Sequence, residues 1–164
     1  MNRKWETALL IILPIIIIGL IIYNSGVMSR IYMIENGLDQ ESKICKARIL
    51  PDQYDIPLKQ GEKIQLNVEL LNQGNFIWLC GGDNAVHLSY HILDKDKKML
   101  VYDNPRYNLP NDIRPDADVK IKAEILPELE PGDYILELDL VEEGVTWFGD
   151  KGSPTSLVKM HITN

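Results

Sequence analysis

Pro131-Gly132-Asp133-Tyr134-Ile135-Leu136-Glu137-Leu138-Asp139-Leu140-Val141-Glu142-Glu143-Gly144-Val145-Thr146-Trp147-Phe148 is the stretch that decides the fold. Pro131-Gly132 reads as a turn, because proline presets φ and glycine accepts φ > 0. Tyr134, Leu136, Leu138 and Leu140 then alternate with Ile135, Glu137, Asp139 and Val141. A period of two over this length is a β-strand with one buried face. Glu142-Glu143-Gly144 ends it, and two large aromatics, Trp147 and Phe148, follow. The stretch predicts a central strand of an all-β sandwich.

Working outward, the same alternation recurs. Ile64, Leu66, Val68 and Leu70 oppose Lys63, Gln65, Asn67 and Glu69. Val86, Leu88, Tyr90 and Ile92 oppose His87, Ser89 and His91, and Val119, Ile121, Ala123 and Ile125 oppose Lys120, Lys122 and Glu124. Val158, Met160 and Ile162 supply a closing strand, and Met99 to Tyr102 a short one after the hairpin tip at Asp94-Lys95-Asp96-Lys97. A first strand is expected from Lys43 to Leu50, with Ile44 and Cys45 contributing to the core. Pro51 to Gly61 reads as a loop or irregular edge and Asp103 to Pro115 as a long ordered loop, each holding several prolines or glycines. Turns fall at Asn72 to Asn75 and at Cys80 to Asn84, where Gly81-Gly82-Asp83 reads as a turn because the domain needed for cyclic-nucleotide chemistry is absent. The sum is about seven strands, an all-β, immunoglobulin-like β-sandwich.

The chain has 164 residues, with 24 acidic against 17 basic side chains and a formal charge of −7. No nucleic-acid partner is expected, because phosphates require a basic footprint. Much of the apolar content sits near the N-terminus. Residues 8–23 carry no charge and span about 24 Å as a helix, flanked by Trp5 and Tyr23. Pro14 is tolerated inside such a helix. Helical pattern continues through Val27, Ile31 and Ile34 to Asn36-Gly37. The expectation is a signal-anchor transmembrane helix with juxtamembrane extension over residues 1–37, a linker over 38–42 and the sandwich over 43–164. Its rival is a signal peptide cleaved near Val27-Met28-Ser29. Arg3 and Lys4 hold the N-terminus cytoplasmic, which puts the sandwich outside the membrane. Cys45 and Cys80 have two readings, one disulfide in an oxidising compartment or two buried thiols.

Leu88-Ser89-Tyr90-His91, the Asp94–Lys98 tip, Leu109-Pro110, Pro115, and Pro131-Gly132-Asp133-Tyr134 through Trp147-Phe148 together carry a resemblance. They resemble an immunoglobulin-like module appended to prokaryotic glycosyltransferases and polysaccharide-export proteins. The module is more distantly similar to the four-tryptophan domain of autophagy receptors. The resemblance covers residues 43–164, and Glu143-Gly144-Val145-Thr146-Trp147-Phe148 is its most specific part. It implies a sandwich without catalytic residues. This chain departs from the pattern at two turns, with Lys97 where the family usually has glycine and Pro115-Asp116 where it usually has Pro-Gly.

The candidate site residues follow from chemistry. Trp147, Phe148, Tyr107 and Arg106 are the ligand-binding candidates, since an apolar sugar face packs flat on an aromatic ring. For Trp78, Trp147 and their neighbours the alternative is packing at the end of the sandwich. His87 and His91 share a strand face with Glu137 and Asp139 expected across from them. The histidines lie about 13 Å apart along the strand, so a zinc site needs a third strand or a bulge, and cross-strand polar contacts are the ordinary explanation. Asp94 and Asp96 lack the further oxygens of a calcium loop. No nucleophile motif occurs, and Glu142 and Glu143, being adjacent, point to opposite faces. No cofactor or metal is implied. The expectation is a non-enzymatic, membrane-anchored extracytoplasmic interaction module of the cell envelope. Its partners are membrane lipid through the N-terminal helix and a protein, which includes a second copy. The alternative is a carbohydrate-binding module or an accessory subunit of cell-surface glycan synthesis.

Overall fold

A computed structural model of the chain describes residues 12–21 and 43–164. Residues 12–21 form a helix with exposed side chains, and no helix among the described residues is long and apolar enough to cross a membrane. The rest of the expected anchor, residues 1–11 and 22–37, and the linker over 38–42 lie outside the described residues.

The remainder is all-β, in two sheets. The first holds β1 (Ala47–Pro51), β3 (Ile64–Asn72) and β7 (Asp118–Ile125), in the order β1-β3-β7 and antiparallel throughout. The second is built on β2 (Asp55–Lys59), β4 (Val86–Asp94), β5 (Met99–Val101), β8 (Gly132–Glu142) and β10 (Ser156–Thr163), in the order β2-β10-β8-β4-β5. Two short strands, β6 (Tyr107–Asn108) and β9 (Thr146–Trp147), add to β4 and β8. The opening stretch thus becomes β8, the centre of the larger sheet. Leu136, Leu138 and Leu140 are fully buried there, facing a core that includes Leu66, Val68 and Leu70 from β3.

Two expectations are refined. Of the two readings of Pro51 to Gly61, a loop or an irregular edge, the edge holds, because β2 pairs in parallel with β10 at the sheet edge, from Lys159 opposite Asp55 to Thr163 opposite Lys59. Ile56 and Leu58 are buried in alternation with exposed Asp55, Pro57 and Lys59. Pro57 masks this pattern, and the strand survives because it lies on the sheet edge, where a missing N–H costs no ladder bond. The first strand also begins later than expected, at Ala47, although Cys45 does reach the core.

The expected turns bring Asn72 to a structural role. Its fully buried amide donates to the Phe76 carbonyl at 2.9 Å and the Ile113 carbonyl at 3.0 Å, while its oxygen accepts from the Gly74 N–H at 2.9 Å. A buried amide so satisfied ties the β3 turn to the 109–115 segment. At the hairpin tip and before β7, Lys97 and Asp116 adopt left-handed φ of 64° and 63°.

Candidate interaction site

On the outer face of the larger sheet, His91 stands opposite Glu137 and Ser89 opposite Asp139, the juxtaposition expected from the sequence. All of that face is not solvated, however. Residues 102–106 fold over it from one side, and Trp147 and Gly149 approach it from the other. The His91 ring stacks on Tyr102 at 4.6 Å and tilts against Trp147 at 4.4 Å, and Tyr102 meets Trp147 edge-on at 5.5 Å. His91 Nδ1 bonds the Tyr102 carbonyl, and Nε2 faces Asp139 at 3.8 Å, an electrostatic contact longer than a hydrogen bond. Burial pulls the His91 pKa down. The Asp139 carboxylate, the Tyr102 carbonyl and the charge of Glu137 outweigh it and hold the ring above the ordinary histidine value.

Asp139 is itself buried, and its carboxylate accepts from the Leu140 N–H at 2.7 Å and the Gly149 N–H at 3.0 Å. It therefore positions the β9 turn. A Cβ on Gly149 would stand 2.7 Å from Asp139 Oδ2, so only glycine lets the backbone come this close.

Arg106 closes the layer. Its Nε donates to Glu143 at 2.6 Å, its Nη1 to Asp103 at 2.7 Å and to Ser89 Oγ at 3.3 Å, and its guanidinium lies 4.9 Å over the Trp147 ring. Buried Ser89 donates onward to the Pro105 carbonyl at 3.1 Å, and Asn104 Nδ2 donates to the Tyr90 carbonyl at 2.9 Å. Together these bonds pin residues 103–106 to β4. The pinned segment sets the position of β5, whose Met99, Leu100 and Val101, with Tyr102 beyond them, are exposed. Three consecutive exposed apolar residues on an edge strand, with a tyrosine after them, are uncommon, because such edges recruit other chains.

Beyond Arg106 the chain turns inward, and Tyr107 stacks on Tyr90 at 6.5 Å. The pair lines a cleft of about 690 Å³ at the open side of the sandwich, with Ile92, Val101, Leu126 and Glu124 among its walls. Tyr107 donates to the Glu124 carbonyl at 2.6 Å. Burial first, then Tyr90 and Glu124, push its pKa up to about 12, so it remains a neutral phenol.

The four ligand candidates thus separate. Arg106 and Trp147 belong to the outer layer, where Trp147 is only 9% exposed beneath the guanidinium. Tyr107 lines the cleft. Phe148 is corrected, because it is fully buried between the sheets, edge-on to Trp78 at 5.6 Å and 6.2 Å from Phe76, and presents no surface to a ligand. Trp78 is likewise core. The histidines do not converge, since His87 lies beside Val141 and Asn108, and no cluster arranged to hold a metal occurs among the described residues. Cys45, buried, and Cys80, half-buried, are free thiols. Burial raises the Cys45 pKa, and the hydrogen bond to Asp112 raises that of Cys80.

Lys43 and Glu142, which the sequence does not bring together, form a buried ion pair at the end of β8, with side chains 3% and 1% exposed. The Lys43 ammonium lies 4.7 Å over the Phe76 ring. No periodicity pairs residues 99 positions apart, so no local signal marks it. No protein-family model matches the chain, and no curated protein matches it.

Proposed function

We propose that the protein is a non-enzymatic interaction module, an immunoglobulin-like sandwich held outside a membrane by its N-terminal segment, which docks another envelope protein through the open side of the fold. The split of the chain's early strands between two sheets, with β2 parallel to β10, supports the immunoglobulin-like assignment. The observation that carries the docking role is the exposed Met99-Leu100-Val101-Tyr102 run, which continues through Val101 into the cleft. An edge strand beside an apolar groove suits an added extended segment. The test is a photo-crosslinking residue at Leu100, activated in native membranes. A discrete adduct, absent when the same residue is placed at exposed Lys159, is expected; no adduct at Leu100 would refute docking there. Anchoring is tested separately, since alkaline extraction that releases the full chain from membranes would remove the anchor.

A second reading, a carbohydrate-binding module, draws on one feature, the stacked Tyr90 and Tyr107 in the cleft. It is also the form in which the resemblance to glycosyltransferase-appended modules bears on this chain. A glycan array probed with the folded chain and with Tyr107→Ala tests it. Binding lost in the variant supports it, and no binding by either discards it.

A further inference from the structure

The outer layer and the cleft leave one buried reactive pair unused. Lys43 and Glu142 are in direct contact, both nine-tenths or more buried, and Glu142 Oε2 has no hydrogen-bond partner among the described residues. A buried ion pair is stable only when its remaining lone pairs and protons are satisfied, and this one is not. The Phe76 ring covers the amine and helps keep water from it.

We propose that Lys43 and Glu142 condense into an intramolecular amide. The ion pair contains every atom the step needs. The Lys43 ammonium passes one proton to the Glu142 carboxylate, and the neutral Nζ adds to Cδ. The intermediate then expels one carboxyl oxygen, which leaves with two protons as water. One C–N bond forms, one C–O bond breaks, and nothing is oxidised or reduced. In water this condensation is opposed by the strong hydration of both ions, but burial has already removed that hydration. Fixed contact supplies the other factor, because well-oriented intramolecular reactions reach effective concentrations of about 10⁵–10⁸ M. The amide carries no charge, so it also removes the incompletely satisfied ion pair from the core.

The bond would join the start of the described sandwich directly to the end of its central strand. Its test is the intact mass of the purified full-length chain, unfolded and acidified. The expected mass falls short of that of the linear, uncrosslinked chain by one water, and a tryptic digest yields one branched peptide containing both Lys43 and Glu142. Lys43→Arg keeps the charge but offers no amine of this kind, and should restore the full mass. A full mass in the folded wild-type chain, fresh and after prolonged incubation, overturns the proposal. A deficit that persists in Lys43→Arg overturns it equally, because the water was then lost elsewhere. Should Lys43→Arg fail to fold, Glu142→Ala is read the same way, and the branched peptide decides from the wild-type chain alone.

Discussion

Replacing Lys97 by glycine should make the sandwich more stable. Lys97 holds φ at 64° at the β4–β5 tip, where its N–H donates to the Asp94 carbonyl at 3.0 Å. The tip is fixed independently by the Asp94 side chain, which accepts from the N–H groups of Asp96 and Lys98 at 2.9 Å each. The left-handed conformation costs an L-residue about 1–2 kcal/mol through its Cβ. Glycine removes that term but gives back roughly 0.5–1 kcal/mol in unfolded-chain entropy. Taken at the middle of both ranges the net gain is about 0.5–1 kcal/mol, equivalent to roughly 2–4 °C in Tm for a domain of this size. Urea unfolding followed by tryptophan fluorescence measures it, since Trp78 and Trp147 are both buried. The midpoint should rise with unchanged slope. Lys97→Ala serves as the control, since it removes the charge but keeps the Cβ, and should stay near wild type. If Lys97→Gly proves neutral or destabilising, or if Lys97→Ala gains as much, backbone strain is not what distinguishes this turn. Asp116→Gly should gain less, because aspartate tolerates the left-handed region better than lysine, and the two gains should add, as the turns share no hydrogen-bond partner.

Three further outcomes are expected. Phe148→Ala should cost about 3–5 kcal/mol, since it empties a fully buried site between Trp78 and Phe76; a loss below about 1 kcal/mol in urea unfolding would contradict its placement in the core. Gly149→Ala should cost about 1–3 kcal/mol by pushing its Cβ into Asp139 Oδ2, with Thr155 Cγ2 at 3.3 Å blocking the other side, and wild-type stability would show that the close approach is not needed. Stability should fall as pH rises from about 6.5 towards 8. His91 is raised above its unfolded value, so its contribution is complete below that value and fades as the folded ring loses its proton. His161, raised chiefly by its hydrogen bond to Asp133, acts in the same direction from the surface. Urea midpoints across this range should flatten in His91→Gln, and an unchanged slope would show that His91 does not supply it.

What the sequence made legible was the alternation of single strands. Leu136, Leu138 and Leu140 announce β8 without help from any neighbour, and β3, β4, β7 and β10 do the same. Even the pairing of β4 with β8, and so the nearness of His91 to Glu137 and Asp139, followed from strand order in sandwiches. The edges were harder. In β2, a proline at the third position breaks the visible pattern although Ile56 and Leu58 alternate correctly. Aromatics were hardest, because sequence gives their number and not their side of the sheet. Trp147 and Phe148 are neighbours, so one faces outward under Arg106 and the other into the core. Nothing local distinguishes them until β9 folds back with Trp147 opposite Val141. Asp139 acts through the backbone N–H of Gly149, a partner that leaves no residue-type signature, and Arg106 reaches Glu143, 37 positions along the chain, where no local pattern links them.

The parallel pairing of β2 with β10 has a mechanical consequence. Pull the start of β2 and the end of β10 in opposite directions, and the two strands slide along one another. Load then falls on all five register pairs, Lys159 with Asp55 through Thr163 with Lys59, at the same moment. An antiparallel pair loaded at the same ends would open like a zipper, one bond after another. Along this axis the sandwich resists tension as a clasp, and it yields only when the whole row of bonds gives way together.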